Sequence, residues 1–146
     1  SEGASFSADY QKGLAAARSG NYATALREFR ALAEQGHASA QYNLGLMYDN
    51  GRGVTQDYKE SAKWYRKSVE QGHAEAQYNL GVLYGNGNGV RQDNVYAHMW
   101  WNIAASSGHK NATKNRDIVA KRMTPSQLET AQKLARECIR KKYKGC

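Results

Sequence analysis

Cysteine, proline and long apolar runs are all scarce in this chain of 146 residues. Two cysteines are too few for a disulfide scaffold. No apolar run approaches the roughly 20 residues that a membrane-spanning helix needs. A single proline leaves helices almost uninterrupted. Phenylalanine is rare, with two, but ten tyrosines and three tryptophans supply aromatic packing. That composition excludes a disordered chain and favours long packed helices. A chain of this length buries its own core as one domain, without metal or disulfide staples.

Charge is unevenly placed. Residues 1–109 hold ten basic and ten acidic residues, so the whole net charge of +8 lies in residues 110–146. Its densest cluster is Arg140, Lys141, Lys142 and Lys144. Such asymmetry can serve an acidic protein surface, nucleic acid or anionic lipid. No aromatic–basic nucleic-acid motif accompanies it, which favours a solvated helix face with cations near a helix C-terminus. Nucleic acid is therefore not the expected partner.

The chain repeats itself. Gly36-His37-Ala38 recurs as Gly72-His73-Ala74, and in part as Gly108-His109, each time 36 residues on. Ala40-Gln41-Tyr42-Asn43-Leu44-Gly45 recurs as Ala76-Gln77-Tyr78-Asn79-Leu80-Gly81 at the same offset. Asn50-Gly51-Arg52-Gly53-Val54 aligns with Asn86-Gly87-Asn88-Gly89-Val90. Each unit reads as two helices. The first spans about 38–48 or 74–84, and places Tyr42, Gly45 and Tyr48 on one face. A glycine-paired loop follows, then a second helix over about 58–70 or 95–106. Gly36, Gly72 and Gly108 stand where a left-handed C-terminal cap wants glycine.

The terminal units depart from this pattern, as capping units do. Ala8, Tyr10 and Gly13 reproduce Ala40, Tyr42 and Gly45 at an offset of 32, with the loop shortened. At the other end, Ala112 and Asn115 keep the register while Asp117 replaces glycine and Ala120 replaces tyrosine. Thr124-Pro125-Ser126-Gln127 then opens a last helix with a capping box. Its apolar stripe suits a helix that covers the exposed end of the stack. The units are thus 4–35, 36–71, 72–107 and a capping pair at 108–146.

The core Ala-Gln-Tyr-Asn-Leu-Gly-x-x-Tyr and the Asn-Gly-x-Gly-Val loop closely resemble the Sel1-like repeat of bacterial proteins, a repeat related to the tetratricopeptide repeat. The first unit is also similar to a tetratricopeptide unit. The resemblance implies an all-α protein: a right-handed α-solenoid of about four antiparallel helix pairs with a C-terminal capping helix. It also implies a non-catalytic adaptor, without cofactor, that holds a peptide or protein segment in a groove lined by the first helices. Exported members are common in this family. One secreted branch, to which β-lactamase activity is attributed, carries cysteine pairs within its repeats; this chain lacks them.

In such a stack, one residue per repeat becomes a ladder. Asn43, Asn79 and Asn115 share a register, with Gln11 as the first-unit counterpart. An amide offers donors and an acceptor to the backbone of an extended peptide. The bland alternative is that these amides satisfy neighbouring backbone groups. Four residues on, Met47 and Leu83 are the expected apolar floor, and Gln41 and Gln77 are weaker candidates.

His37, His73 and His109 also repeat, but zinc ligands converge within about 2 Å of the ion. Successive helix layers stand roughly 10 Å apart, so no metal site is expected. His98, Trp64, Trp100 and Trp101 read as packed core. Ser107-Gly108-His109-Lys110 matches Ser-x-x-Lys, yet its companion motifs are missing and no catalytic residue is expected. Cys138 and Cys146 would lie about 12 Å apart on a continuous helix, too far to bridge. A turn at Gly145 would bring them together if the chain is exported to the periplasm or beyond. In a cytoplasmic location they would stay thiols.

Overall fold

A computed structural model describes the backbone of residues 2–146 and the side chains from Tyr10 onward. Ala8 therefore lies outside the described side chains. The described residues form eight helices and no strand: α1 Glu2–Arg18, α2 Tyr22–Glu34, α3 Ala38–Asn50, α4 Tyr58–Val69, α5 Ala74–Asn86, α6 Asn94–Ser106, α7 Lys110–Ala120 and α8 Pro125–Arg140. Each of α1 to α7 packs chiefly on its neighbours in sequence. The result is an all-α solenoid.

The joints between repeats are built from two residues. Gly36 adopts φ +94 and the His37 N–H reaches back to the Leu32 carbonyl at 3.1 Å, which closes α2. His37 then caps the next helix, its Nδ1 accepting from the Ala40 N–H at 3.0 Å. His73 and His109 cap α5 and α7 in the same way. One Gly-His pair thus ends one helix and starts the next, and the chain reverses without a loop. The second helices start on Asp57 and Asp93, whose carboxylates accept two backbone N–H groups each. Thr124 and Gln127 form the expected capping box of α8.

Within a pair, a glycine on the first helix admits an aromatic ring from the second. A Cβ at Gly45 would stand 2.6 Å from the Tyr65 ring, and one at Gly81 would stand 2.5 Å from Trp101 Nε1. Gly13 and Phe29 repeat the arrangement. Arg30 donates to the Tyr48 hydroxyl and Arg66 to the Tyr84 hydroxyl, tying each second helix to the following first helix. Phe29, Leu32, Leu44, Tyr65, Leu80, Trp100 and Ile103 form the centre of the core.

At the C-terminal end the register glycine is absent. Asp117 stands there, exposed. Helix α8 docks chiefly on α6. Leu134, Ala135 and Cys138 join the core formed by α4, α5 and α6. Nearer the start of α8, Ala131 and Leu128 join a cluster with Ala112 and Val119 of α7. Beyond α8, Lys142 and Tyr143 turn left-handed at φ 55 and 68, and Gly145 follows at φ 67. This turn carries Tyr143 to within van der Waals reach of Gly72. It also brings Cys138 and Cys146 to a Cα separation of 5.7 Å, where they form a disulfide.

Candidate functional site

The asparagine ladder exists, and each rung is tied to the repeat before it. Asn43 Nδ2 donates to the Tyr10 hydroxyl at 3.0 Å and to the Ser39 carbonyl at 2.8 Å. Asn115 Nδ2 lies 3.4 Å from the Tyr78 hydroxyl. Asn79 donates to the Tyr65 hydroxyl at 3.2 Å. Each tyrosine ring also stacks on the capping histidine of the next repeat. Tyr10–His37, Tyr42–His73 and Tyr78–His109 have centroids 4.7, 4.8 and 4.6 Å apart. A Tyr–Asn–His cluster therefore recurs at every joint between first helices. The tyrosines were legible as a repeating position, but not as the partners of the asparagines.

This geometry assigns the amide nitrogens to holding the stack. All three asparagines are half-buried. Their Oδ1 oxygens accept no hydrogen bond among the described residues, so an acceptor remains on each rung.

Met47 and Leu83 are 6% and 2% exposed. Met47 borders a cleft beside Asn43, whereas Leu83 packs against the α4–α6 core, which corrects its expected place on a groove floor. Gln11 is exposed on α1. Gln41 is buried and structural: it donates to the Ala33 carbonyl and accepts from Gln71.

The histidines use Nδ1 as a backbone acceptor, so that atom is not offered to a metal. Burial lowers the pKa of His37 and of His73, the latter partly offset by Glu75. His98 is buried, and desolvation followed by the Arg116 charge lowers its pKa too. Trp64, Trp100 and Trp101 are core residues. The Trp101 indole N–H donates to the Tyr78 carbonyl at 3.1 Å. Ser107 is the exposed C-cap of α6.

Two further features lie on the face lined by the first helices. Tyr65 donates to Asp49 Oδ2 at 2.9 Å. Burial, reinforced by the Asp49 charge, pushes the Tyr65 hydroxyl pKa strongly upward. Burial also raises the pKa of Asp49, against the hydrogen bond from Tyr65. Arg52 and Arg122 stand exposed at the mouths of two clefts on this face. Sequence reasoning missed all three, because nothing in their spacing ties them to the ladder. Away from this face, Arg140, Lys141, Lys142 and Lys144 are exposed around the disulfide-closed turn.

Comparison with known proteins agrees with this architecture. Residues 38–73 and 74–109 each match the Sel1 repeat. A solved structure of a protective antigen present in uropathogenic Escherichia coli strains, displaying an SLR fold, is similar with a TM-score of 0.89 and 35% identity. The match covers 94% of this chain and 30% of that one. A Sel1 repeat protein from Oxalobacter formigenes is similar with a TM-score of 0.69 and 32% identity, over 73% of this chain and 43% of that one. The chain thus spans less than half the length of either relative. A search of curated proteins found no match. No described helix is long and apolar enough to cross a membrane. With its Gly-His joints, glycine-seated aromatics and two consecutive repeat matches, the chain belongs to the Sel1-repeat family.

Proposed function

We propose that this chain is a protein–protein interaction module that holds an extended partner segment along the face lined by α1, α3, α5 and α7. The family points to protein partners, and Sel1-repeat proteins are generally non-catalytic scaffolds. The observation that supports the finer reading is the ladder of Asn43, Asn79 and Asn115. Tyrosine hydroxyls hold each amide by its nitrogen, which orients an Oδ1 acceptor once per repeat. Backbone N–H groups of an extended segment are the natural donors to such a row.

Replacing the asparagines also removes bonds that hold the stack, at about 1 kcal/mol each. The test therefore needs a control that breaks the same bonds from the other side. Asn43→Ala with Asn79→Ala should weaken binding of a captured partner at least tenfold by calorimetry. Tyr10→Phe with Tyr65→Phe should lower melting at least as much yet keep binding. Equal loss in both pairs assigns the ladder to folding alone.

The disulfide supports a proposal on location: export to an oxidising compartment, periplasmic or extracellular. Non-reducing mass spectrometry of protein isolated from its host tests it, since two free thiols would place the chain in a reducing compartment.

A second reading rests on the exposed basic turn. Arg140, Lys141, Lys142 and Lys144 would dock to an acidic surface, and affinity would fall steeply with salt. Binding that survives Lys141→Glu, Lys142→Glu and Lys144→Glu together rules it out.

A further inference from the structure

Two clefts open between successive first helices. One, of about 150 Å³, is bordered by Phe29, Asn43, Leu46, Met47 and Arg52. The other, of about 190 Å³, is bordered by Trp101, Asn115, Ile118, Val119 and Arg122. These are the same place in the repeat, two units apart. Phe29 and Trp101, Asn43 and Asn115, Leu46 and Ile118, and Met47 and Val119 are each separated by 72 residues. Both clefts thus share an aromatic ring, two apolar side chains, a ladder amide and an arginine, with Asn50 also bordering the first and Asn86 and Asn94 the second.

The unit between them is different. Asp49 stands where the flanking units have Ala17 and Gly85, and it takes the Tyr65 hydroxyl at 2.9 Å. Asn79 donates to that same hydroxyl at 3.2 Å. Along this face the order is therefore partly apolar cleft with cation, carboxylate, partly apolar cleft with cation. Arg52 and Arg122 are exposed and form no ion pair among the described residues. Ile118, in the second cleft, is 43% exposed, one of two large hydrophobic residues so placed among those described.

We infer that the two clefts anchor one extended acidic segment of a partner protein through two apolar side chains, each beside a carboxylate that pairs with Arg52 or Arg122. The inference rests on the groove reading above and adds the class of ligand. Neighbouring first helices about 10 Å apart put the clefts about 20 Å apart. At about 3.3 Å per residue, the anchors fall about six residues apart on an extended chain. The Asp49 carboxylate between them repels a third acidic residue and suits an uncharged or basic one.

The test uses synthetic fluorescent peptides of about twelve residues on a Gly-Ser background, long enough to span both clefts. One carries Leu-Glu twice, six residues apart. Others carry the two pairs three residues apart, Lys in place of both Glu, or no anchor at all. The six-residue acidic peptide should bind at least tenfold more tightly than the rest, by fluorescence anisotropy at low and physiological salt. Leu46→Ser with Ile118→Ser should remove that preference. Arg52→Glu with Arg122→Glu should transfer it to the Lys peptide, with circular dichroism unchanged in both variants. Equal affinity for the two spacings, or indifference to the arginine reversals, overturns the anchors. If the anchor-free peptide binds as well and loses affinity in Asn43→Ala with Asn79→Ala, the groove stands and the anchors fall. If the acidic peptide binds through the arginines but ignores the asparagine changes, the anchors stand and the ladder falls. No binding by any peptide overturns both.

Discussion

Gln71 donates its side-chain amide to Gln41 Oε1 at 3.0 Å, from the end of a repeat's second helix back to its first. The same Nε2 reaches the Gly36 carbonyl at 2.9 Å. One repeat on, Gln77 takes the place of Gln41 and is fully buried, but Ser107 takes the place of Gln71. Serine is too short to make either bond, and both polar atoms of the Gln77 amide are unpartnered. Ser107→Gln should therefore raise stability by about 1–2 kcal/mol. That corresponds to a rise in melting temperature of about 3–6 °C for a domain of this size. Ser107→Ala, measured beside it by differential scanning calorimetry, should give no gain.

Acid should loosen the stack through its histidines. His37 and His73 accept a backbone N–H on Nδ1, which only an imidazole unprotonated at that atom can do. Burial lowers the pKa of His37, His73 and His98 below the ordinary 6.5. As pH falls through 6.5, the unfolded chain takes up protons that the folded chain refuses, so stability falls with pH. The loss begins near the unfolded value and is complete below the folded ones. Melting temperature should be level from about pH 8 to 7 and decline below about 6.5. His37→Asn with His73→Asn keeps a capping acceptor without the titration and should flatten part of the decline. An unchanged profile in that variant would leave His98 or the carboxylates as its cause.

Gly81 and Gly85 make a matched pair on one helix. A Cβ at Gly81 would stand 2.5 Å from Trp101 Nε1, an atom pinned by its bond to the Tyr78 carbonyl. At Gly85 it would stand 3.1 Å from the far edge of the same ring. Alanine gains about 1 kcal/mol over glycine in a helix interior. Overpacking costs about 1–3 kcal/mol. Gly81→Ala should therefore lose about 1–2 kcal/mol net in urea titration, while Gly85→Ala should be close to neutral. Similar losses at both positions would contradict the seating of Trp101 on Gly81.

The disulfide closes a short loop and pins the turn that follows α8. Cys146→Ser should cost about 2–3 kcal/mol by the chain-entropy relation for a loop of this length. The loss should appear first as hydrogen exchange in α8, since Cys138 and Tyr143 join α8 to the core around α6. Exchange unchanged in α8 would show that its packing on α6 suffices without the bridge.

The repeat, the helix pairs, the glycine turns, the Thr124 cap and the aromatic core were legible in the amino-acid order, whereas the capping roles of His37, His73 and His109 were not. Periodicity reports which face of a helix is buried, and caps depend on residues within a few positions. The shared register of Asn43, Asn79 and Asn115 was readable for the same reason. What each amide touches was not, because the tyrosine partner belongs to the preceding repeat and only packing sets that reach. Leu83 was misplaced because the core around α4 and α6 takes it up, and only tertiary packing decides between groove and core. The docking of α8 on α6 was settled by tertiary packing, since Leu134, Ala135 and Cys138 find their apolar partners there and not on a neighbour in sequence. Arg52, Asp49 and Arg122 come together on one face only through the stacking of repeats, so the charge pattern of the clefts belongs to the folded chain alone.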